Sequence, residues 1–311
     1  MIVCLFAGTP SPYLELSIGE ATTVERIASY VASLPDVDRV VVLADERRGG
    51  LPDSWEWRLQ PAWDGKSLLQ ALADLSDGPD STILFTFLDQ PFLSKELTLR
   101  LIKRHERYHA DYTFADGYPS GLAPELLGGR AIGYLCELAE GSKVVKRDTL
   151  FSVIQKDMNR FDVETELSRS DQRLLRLTLS VDSRANLEVC RSLASGAPKR
   201  IDEWPDYVER ERALHRSLPR YVSVQVTEQE VHELSYSPYP EVAHDALSPG
   251  AIMAASRFEN LVDEIHRIAP EAVIAVSVWG EISLHPEVAR LLKAVDERPP
   301  LQLVVETAGV G

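Results

Sequence analysis

Residues 82–92 have the sequence TILFTFLDQPF, an almost uninterrupted apolar run that contains one aspartate near its end. Strands that are buried on both faces have this composition, because helices cover both sides of a parallel sheet. The run therefore predicts a central parallel strand with Asp89 at its carboxyl end. Two similar runs, at 2–8 (IVCLFAG) and 38–45 (DRVVVLAD), predict further strands of the same sheet.

Segments with helical spacing alternate with these strands. Thr22 and Glu25 have the spacing of a capping box and predict a helix that begins at this point. Residues 95–108 carry apolar side chains on one face, as an amphipathic helix does. A later run, RLTLSVD (176–182), predicts a strand that leads into a helix at 184–194. This alternation is typical of the α/β class.

Composition limits the partners and the compartment. A chain of 311 residues with 44% apolar and 26% charged residues suits two globular domains. The net charge of −15 argues against binding to nucleic acid or to an anionic membrane surface. Three scattered cysteines, Cys4, Cys136 and Cys190, form no C-x-x-C pair, and no apolar run approaches the length of a membrane span. We therefore expect a cytoplasmic protein with reduced thiols.

One short motif suggests a different chemistry. HERYH (105–109) matches the H-E-x-x-H pattern of zinc proteases, with His105 and His109 one helical turn apart. The motif lies at the end of a predicted helix, among basic residues, on what we expect to be a solvated face. Because a zinc site also needs a third protein ligand and an enclosed pocket, we do not expect zinc here.

Three segments in the first 197 residues carry a family resemblance. They are LDQPFLSKELTLRLIKRH (88–105), YPSGLAPELL (118–127) and LLRLTLSVDSRANLEVCRSL (174–193). In this order they resemble the nucleotidyltransferases that make CMP-activated sugar acids, in particular the SpsF-like branch of polysaccharide biosynthesis. The resemblance implies a GT-A-like, Rossmann-type α/β domain with cytidylyltransferase chemistry. It also implies that Asp89 and Asp182 hold Mg²⁺, with their carboxylates within about 8 Å of each other. The alternative is that each aspartate caps the helix that follows it.

The chain departs from this family in its first loop. Family members cradle a triphosphate there with a Gly-rich loop that bears Arg and Lys, whereas AGTPSPYLELSIGEATTVER (7–26) has no basic residue before Arg26. Backbone amides alone rarely balance the charge of a triphosphate. We therefore expect a pseudoenzyme that binds a nucleotide or nucleotide-sugar weakly.

A charged, proline-rich segment at 198–219 predicts a linker with a short helix, and a second domain at 220–311 follows. Three apolar runs in that domain, YVSVQVTE, VIAVSVWGE and LQLVVETAG, alternate with two amphipathic helices. This β-α-β-α-β order is typical of the first part of a parallel (β/α) barrel.

Three pieces of the second domain resemble the radical SAM superfamily: VTEQEVHELSYSPYP (226–240), WGEISLHPEVARLL (279–292) and VVETAG (304–309). The resemblance places Glu230, Leu234 and Ser237 where the family has three cluster-binding cysteines. Since thiolates hold the cluster iron, we expect no iron–sulfur cluster and no reductive cleavage of S-adenosylmethionine (SAM). Gly280 and Glu281 match the part of the motif that meets the SAM amino group, although without a cluster SAM is not an expected ligand.

The two resemblances together are similar to the spiro-SPASM proteins of spirochaetes, in which a C-terminal SPASM region follows. Three functions stay open: a catalytically retired binding or scaffold module, a Mg²⁺-dependent nucleotidyltransferase, and a component of a radical SAM/SPASM maturase. The final residues, VVETAGVG, predict an apolar edge strand. We therefore expect a fragment of a longer protein that lacks its SPASM region. In isolation, a second copy in a homodimer or the linker helix near 206–217 would cover that edge.

Overall fold

The computed structural model describes residues 1–9, 11–139, 144–194, 196–211, 214, 218–229, 251–276, 279–307 and 309. Contacts within the chain divide it into two compact units, Met1–Arg216 and Ser217–Gly311. No helix of these described residues is long and apolar enough to cross a lipid bilayer.

A seven-stranded, mostly parallel sheet forms the centre of the first unit. The strands of this unit are β1 (Ile2–Ala7), β2 (Ser17–Ile18), β3 (Ala21–Thr22), β4 (Arg39–Ala44), β5 (Glu56–Leu59), β6 (Thr82–Phe87), β7 (Tyr112–Asp116), β8 (Glu125–Gly128) and β9 (Val163–Leu167). β2 and β3 form a separate small hairpin, and the other seven form the sheet in the order β5-β4-β1-β6-β8-β7-β9. β8 runs antiparallel to both of its neighbours, whereas the other pairs are parallel.

Helices cover both faces of this sheet. The helices of the first unit are α1 (Thr23–Ser33), α2 (Gly65–Leu75), α3 (Lys95–Tyr108), α4 (Gly129–Leu138), α5 (Thr149–Ile154), α6 (Arg184–Leu193) and α7 (Trp204–Arg210). All six residues of β1 are buried: Cys4 and Phe6 face one apolar cluster, and Val3 and Leu5 face the other. Burial on both faces is the reason for the continuous apolar runs in the sequence.

Several local predictions are confirmed. α3 spans the residues that the apolar spacing indicated, and the Ser94 side chain accepts a hydrogen bond from Leu97 N at its start. The capping box at α1 is present, because Glu25 N donates to Thr22 Oγ1 (3.2 Å) and Thr22 N donates to the Glu25 carboxylate (2.7 Å).

The late strand predicted at 176–182 is wrong. This segment makes an isolated bridge between Thr178 and Ser120, and its other hydrogen bonds go to loops: Leu179 N donates to Ser120 O and Val181 N to Asp89 O. Loop oxygens at the end of the sheet, rather than a neighbouring strand, therefore hold the segment in place.

The segment predicted as a linker packs on the first unit. Ile201, Trp204, Val208 and Leu214 are buried in one apolar cluster with side chains that include Leu97. Asp206, Glu209 and Arg210 lie on the exposed side of the short helix α7, so the charged composition did not indicate the buried side.

The second unit contains three parallel strands, β10 (Tyr221–Val224), β11 (Val273–Val276) and β12 (Gln302–Val305), in that order. α8 (Ala255–Ile268) and α9 (Val288–Asp296) connect them and pack on one face through residues such as Phe258 and Leu291. This confirms the predicted β-α-β-α-β order; a barrel stays a prediction. Among the described strands β12 pairs with β11 alone, and its Val304 and Val305 are exposed.

Candidate functional site

Asp89 lies where the sequence placed it, just beyond the carboxyl end of the central strand β6. Leu88 N donates to Phe6 O, which continues the pairing of β6 with β1 up to the residue before the aspartate. The Asp89 side chain is only 13% exposed. A carboxylate in this position loses most of its hydration and needs a nearby positive charge or a proton.

Asp182 reaches the same place from a distant part of the chain. The hydrogen bond from Val181 N to Asp89 O (2.9 Å) ties the two segments together, and the Ser11 hydroxyl donates to Val181 O. Asn186, in the first turn of α6, donates to Asp182 Oδ1 (2.7 Å). The Asp182 side chain is 40% exposed, so its environment is much more hydrated than that of Asp89.

Arg147 joins the two aspartates. Its Nη1 and Nη2 donate to the two oxygens of Asp89 at 3.1 and 2.6 Å, and Nη2 also donates to Asp182 Oδ2 at 3.0 Å. The guanidinium lies 4.9 Å from the centre of the Phe87 ring, a cation–π distance. Since both carboxylates contact one nitrogen atom, they lie well within the expected 8 Å.

Burial and the guanidinium act in opposite directions on the two carboxyl groups. Burial raises the pKa of Asp89 above its usual value, and the Arg147 charge opposes that shift. Burial also raises the pKa of Asp182, but there Arg147 and the Asn186 hydrogen bond prevail and the pKa lies below its usual value. Asp182 is therefore ionised at neutral pH, and the ionised state of Asp89 depends on Arg147.

The residues at this point do not fit a resident Mg²⁺ ion in this arrangement. Mg²⁺ needs free carboxylate oxygens in an octahedral shell, and three guanidinium hydrogen bonds already use the facing oxygens of Asp89 and Asp182. No group of three or more His, Cys, Asp or Glu side chains that could hold a metal occurs among the described residues. The aspartates meet as predicted, but a guanidinium lies between them.

A cleft opens beside this cluster, at the carboxyl ends of β1 and β6. The end of β1 lines it together with Thr9, Ser11 and Leu14, and so does the segment Val145, Lys146 and Arg147. Lys146 is exposed and makes no ion pair with a described residue. Arg26, the first basic residue after β1, belongs to α1; it lies over the Phe92 ring (5.2 Å) and donates to Ile18 O (2.8 Å).

The sequence analysis missed Lys146 and Arg147, which are the positive charges of the cleft. It looked for them in the loop after β1, where the resemblance expects them. The signal that was present is the basic pair itself, which stands immediately before the short helix α5. Nothing in its local sequence indicates that it lies opposite the end of β6.

The two histidines of the zinc-protease motif lie in different surroundings, and the solvated face predicted for both is wrong for His105. His105 is buried, not on a solvated face, and its Nδ1 shares a hydrogen bond with Thr113 Oγ1 (2.9 Å). Burial lowers the pKa of His105 to about 4, so the ring is neutral and packs as part of the core. His109 ends α3 in the left-handed conformation and is exposed.

In the second unit, Gly280 and Glu281 follow β11 as predicted. Gly280 has φ +147°, and a Cβ there would lie 2.1 Å from Thr227 O, so only glycine fits. Glu281 is buried, and its Oε1 accepts hydrogen bonds from Ser283 N and Thr307 Oγ1 (3.0 and 2.7 Å). Glu230, Leu234 and Ser237, the predicted positions of the lost cluster ligands, lie outside the described residues.

No protein-family model matches the chain. An uncharacterized protein of Treponema pallidum (strain Nichols) is 27% identical over 164 residues, which are 52% of this chain and 44% of that protein. The chain thus matches less than half the length of this curated relative.

Among solved structures, a cytidylyltransferase from Leptospira borgpetersenii serovar Hardjo-bovis (strain JB197) has a TM-score of 0.53 at 12% identity, over 68% of this chain and 94% of that one. A CMP:2-keto-3-deoxy-manno-octonic acid synthetase complexed with CTP has a TM-score of 0.45 at 12% identity, over 62% of this chain and 97% of that one. The first likeness shows an α/β fold of nucleotidyltransferase type with a mostly parallel sheet, as the sequence predicted.

Proposed function

We propose that the first unit is a ligand-binding module of nucleotidyltransferase-like fold in which Arg147 takes the place of a catalytic metal ion. The observation that carries this proposal is the set of three hydrogen bonds from Arg147 to Asp89 and Asp182. A nucleotide or nucleotide-sugar is the proposed ligand class, since a relative in fold is a cytidylyltransferase. Nucleotidyl transfer is not part of the proposed function.

The charge of the cleft supports binding without transfer. Arg147 is neutralised by two aspartates, so Lys146 is the positive charge that the described part of the cleft can offer to a phosphate. One ammonium group does not balance a triphosphate of about four negative charges. Ligands with one phosphate are therefore favoured over CTP.

For the second unit, we propose a radical SAM-like scaffold without a cluster. The parallel β10-β11-β12 order supports it, because the resemblance implies parallel strands joined by helices, and Gly280, which the resemblance singles out, is at a position where only glycine fits. In this role the second unit binds another protein or a further segment and no nucleotide. No catalytic step is assigned to the second unit.

A metal-dependent nucleotidyltransferase is the second candidate function, favoured by the convergence of Asp89 and Asp182 on one nitrogen atom. In that case Arg147 leaves the carboxylates when a metal and a nucleotide bind. The two candidates differ in what Mg²⁺ does to nucleotide binding and in whether Arg147 excludes a metal.

Isothermal titration calorimetry with CMP and CTP, each with and without Mg²⁺, separates them. We expect wild-type binding with Kd in the millimolar range, about −4 kcal/mol, with CMP no weaker than CTP and no gain from Mg²⁺. Micromolar CTP binding that requires Mg²⁺ would contradict the binding module and establish the enzyme.

A metal titration tests the role of Arg147 directly. Mn²⁺ should raise the melting temperature of Arg147→Met, whose two carboxylates are left without a cation, and should leave wild type and Arg147→Lys unchanged. Mn²⁺ stabilisation of the wild type equal to that of Arg147→Met would show that Arg147 does not exclude a metal.

A further inference from the structure

A groove with a volume of about 380 Å³ lies at the opposite edge of the central sheet from the cleft. The cleft opens at the carboxyl ends of β1 and β6, whereas the first residues of both strands, Ile2 and Thr82, line this groove. The loop before β4, the loop before β6 and the last turns of α3 complete its walls. The groove and the cleft share no lining residue, so the two sites are separate.

The rim of the groove is acidic. Five exposed carboxylates line it: Asp36, Asp38, Asp77, Asp80 and Glu106. Asp38 pairs with the ammonium group of Met1, and Asp77 pairs with Arg39 (3.0 Å). The other three form no ion pair with a described residue. The groove therefore has a net negative charge and favours a cationic ligand.

The cation that fits this charge is organic. A metal ion needs several ligand atoms around one point, and no group of three or more His, Cys, Asp or Glu side chains in the described part of the chain offers this. Ile102, which is half-buried, adds an apolar surface to the groove. The methylene groups of a lysine or arginine side chain pack on such a surface while the charged end stays in water.

His105 adds a hydrogen-bond donor to the groove wall. It is 4% exposed, and its Nδ1 lies 2.9 Å from Thr113 Oγ1. The Thr113 side chain is fully buried and has no other partner among the described residues, so its hydroxyl donates to Nδ1. The hydrogen of the neutral ring is then on Nε2.

This Nε2–H group of His105 is free to bind a ligand. Nε2 has no hydrogen-bond partner among the described residues, and it is not one of the solvent-inaccessible atoms that lack a partner. Since His105 lines the groove, its accessible nitrogen faces the groove. A nearly buried N–H group without a partner indicates a ligand that brings an acceptor atom.

A donor beside several carboxylates selects a peptide over a simple amine. An amine satisfies the carboxylates but leaves the His105 Nε2–H group unpaired. A peptide with lysine or arginine side chains brings cations for the carboxylates and backbone carbonyl oxygens for Nε2. Because an extended peptide repeats both groups along its length, binding requires no single fixed distance between the two kinds of contact.

We propose that this groove binds an extended segment of a partner protein that is rich in lysine or arginine. A backbone carbonyl oxygen of the segment accepts a hydrogen bond from His105 Nε2, and its cationic side chains lie among Asp36, Asp80 and Glu106. A basic partner also complements the net charge of −15 of the whole chain. The proposal does not depend on nucleotide binding in the cleft.

Three probes test the proposal on the full chain at pH 7. The peptide Ac-Lys-Gly-Lys-NH₂ carries two cations and backbone carbonyl groups. Ac-Gln-Gly-Gln-NH₂ has the carbonyl groups without the charges, and cadaverine has two charges without a carbonyl group. Long-range ¹H–¹⁵N NMR spectra of the histidine rings follow each titration, and the spectrum of His105→Gln, which lacks the ring, assigns the His105 signals.

We expect the lysine peptide to bind with a Kd in the millimolar range and to move the Nε2–H resonance of His105 downfield until the site is saturated. The glutamine peptide should bind at least about tenfold more weakly, because it does not meet the carboxylates. Cadaverine should bind about fivefold more weakly, the share of one hydrogen bond, and should not cause the downfield shift.

The double variant Asp80→Asn/Glu106→Gln removes two groove carboxylates that have no ion pair. It should weaken binding of the lysine peptide by about fivefold. The matched control is Asp53→Asn/Glu209→Gln, which changes the net charge by the same amount at two exposed residues outside the groove. This control should leave the Kd unchanged within about twofold. All four substituted residues are exposed, so both variants should fold.

Four results would overturn the proposal. They are no binding of the lysine peptide, equal binding of the glutamine peptide, an equal loss of affinity in the two double variants, and a His105 downfield shift that cadaverine causes as strongly as the lysine peptide. The third result would mean that the peptide responds to the charge of the whole chain. The last would mean that Nε2 donates to no peptide carbonyl group.

Discussion

The cleft at Asp89 and a neighbouring cavity at Glu125 share Phe87 and Arg147 as a common wall, and both bury a carboxyl group. In the cleft, the guanidinium of Arg147 compensates the negative charge. At Glu125 no basic side chain of the described residues forms an ion pair, and burial raises the pKa of the carboxyl group to about 8. The same desolvation cost is thus met by ion pairing in one place and by protonation in the other.

The difference decides what each site can bind. Ion pairing uses the carboxylate oxygens of Asp89 and Asp182, so an incoming metal must first displace Arg147. Protonation removes the charge of Glu125, so this carboxyl group offers no anionic oxygen to a ligand at neutral pH.

Of the substitutions that test this comparison, removal of Arg147 should have the largest effect on the free energy of unfolding. Arg147→Ala leaves Asp89 buried without its cation and should lower the free energy of unfolding by about 3 kcal/mol at pH 7, near the lower end for breaking a buried ion pair. Urea denaturation measures it. Lys146→Ala, which removes the neighbouring exposed charge, should change stability by less than about 0.5 kcal/mol. Equal effects of the two substitutions would mean that Arg147 does not compensate Asp89.

Glu125→Gln tests the pH dependence of stability. A paired carboxylate stabilises the fold more as the pH rises, and the carboxyl group of Glu125 should do the opposite. Since the folded-state pKa of Glu125 is raised to about 8, the contribution of this group to stability is fully present below pH 4.5 and is lost as the pH rises toward 8. Glu125→Gln lacks this loss. Its free energy of unfolding relative to the wild type should therefore rise by on the order of 2 kcal/mol between pH 5 and pH 8. Chemical denaturation at both pH values checks it; a constant difference would refute protonation of Glu125.

His105 extends the comparison from two buried acids to a buried base. Its folded-state pKa, lowered to about 4, means that its contribution is present above pH 6.5 and is lost as the pH falls toward 4. His105→Gln, which keeps a hydrogen-bonding group near Thr113, should lose less stability than the wild type over this acid range. The control is His109→Gln, which should retain the wild-type pH profile in thermal denaturation.

The smallest expected effect concerns Asn186, which supports the exposed end of the ion cluster. Asn186→Ala removes its hydrogen bond to Asp182 and should cost about 0.5–1 kcal/mol, because the carboxylate can be hydrated in its place. Thermal or urea denaturation measures the loss. A loss as large as that of Arg147→Ala would show that the Asn186 hydrogen bond supports the cluster as strongly as the Arg147 ion pairs do.

Local patterns predicted much of the fold. The burial of β1 was indicated by the composition of its apolar run, and the span of α3 and the capping box at Thr22 by the spacing of residues a few positions apart. β8 was missed, since its four residues have no strand pattern of their own and pair antiparallel with β6 and β7. His105 was placed on the wrong face because the charges around it suggested an exposed helix end.

The sequence by itself determined the α/β class, the position of Asp89 after a buried strand and the lack of basic residues in the first loop. Only the tertiary structure decided what surrounds the carboxyl groups. Arg147 is 58 residues from Asp89 and 35 from Asp182 along the chain, yet it contacts both. The environment of Glu125 likewise depends on side chains from three strands. Charge compensation is a property of distances in space, and local sequence patterns carry no information about which distant segments meet.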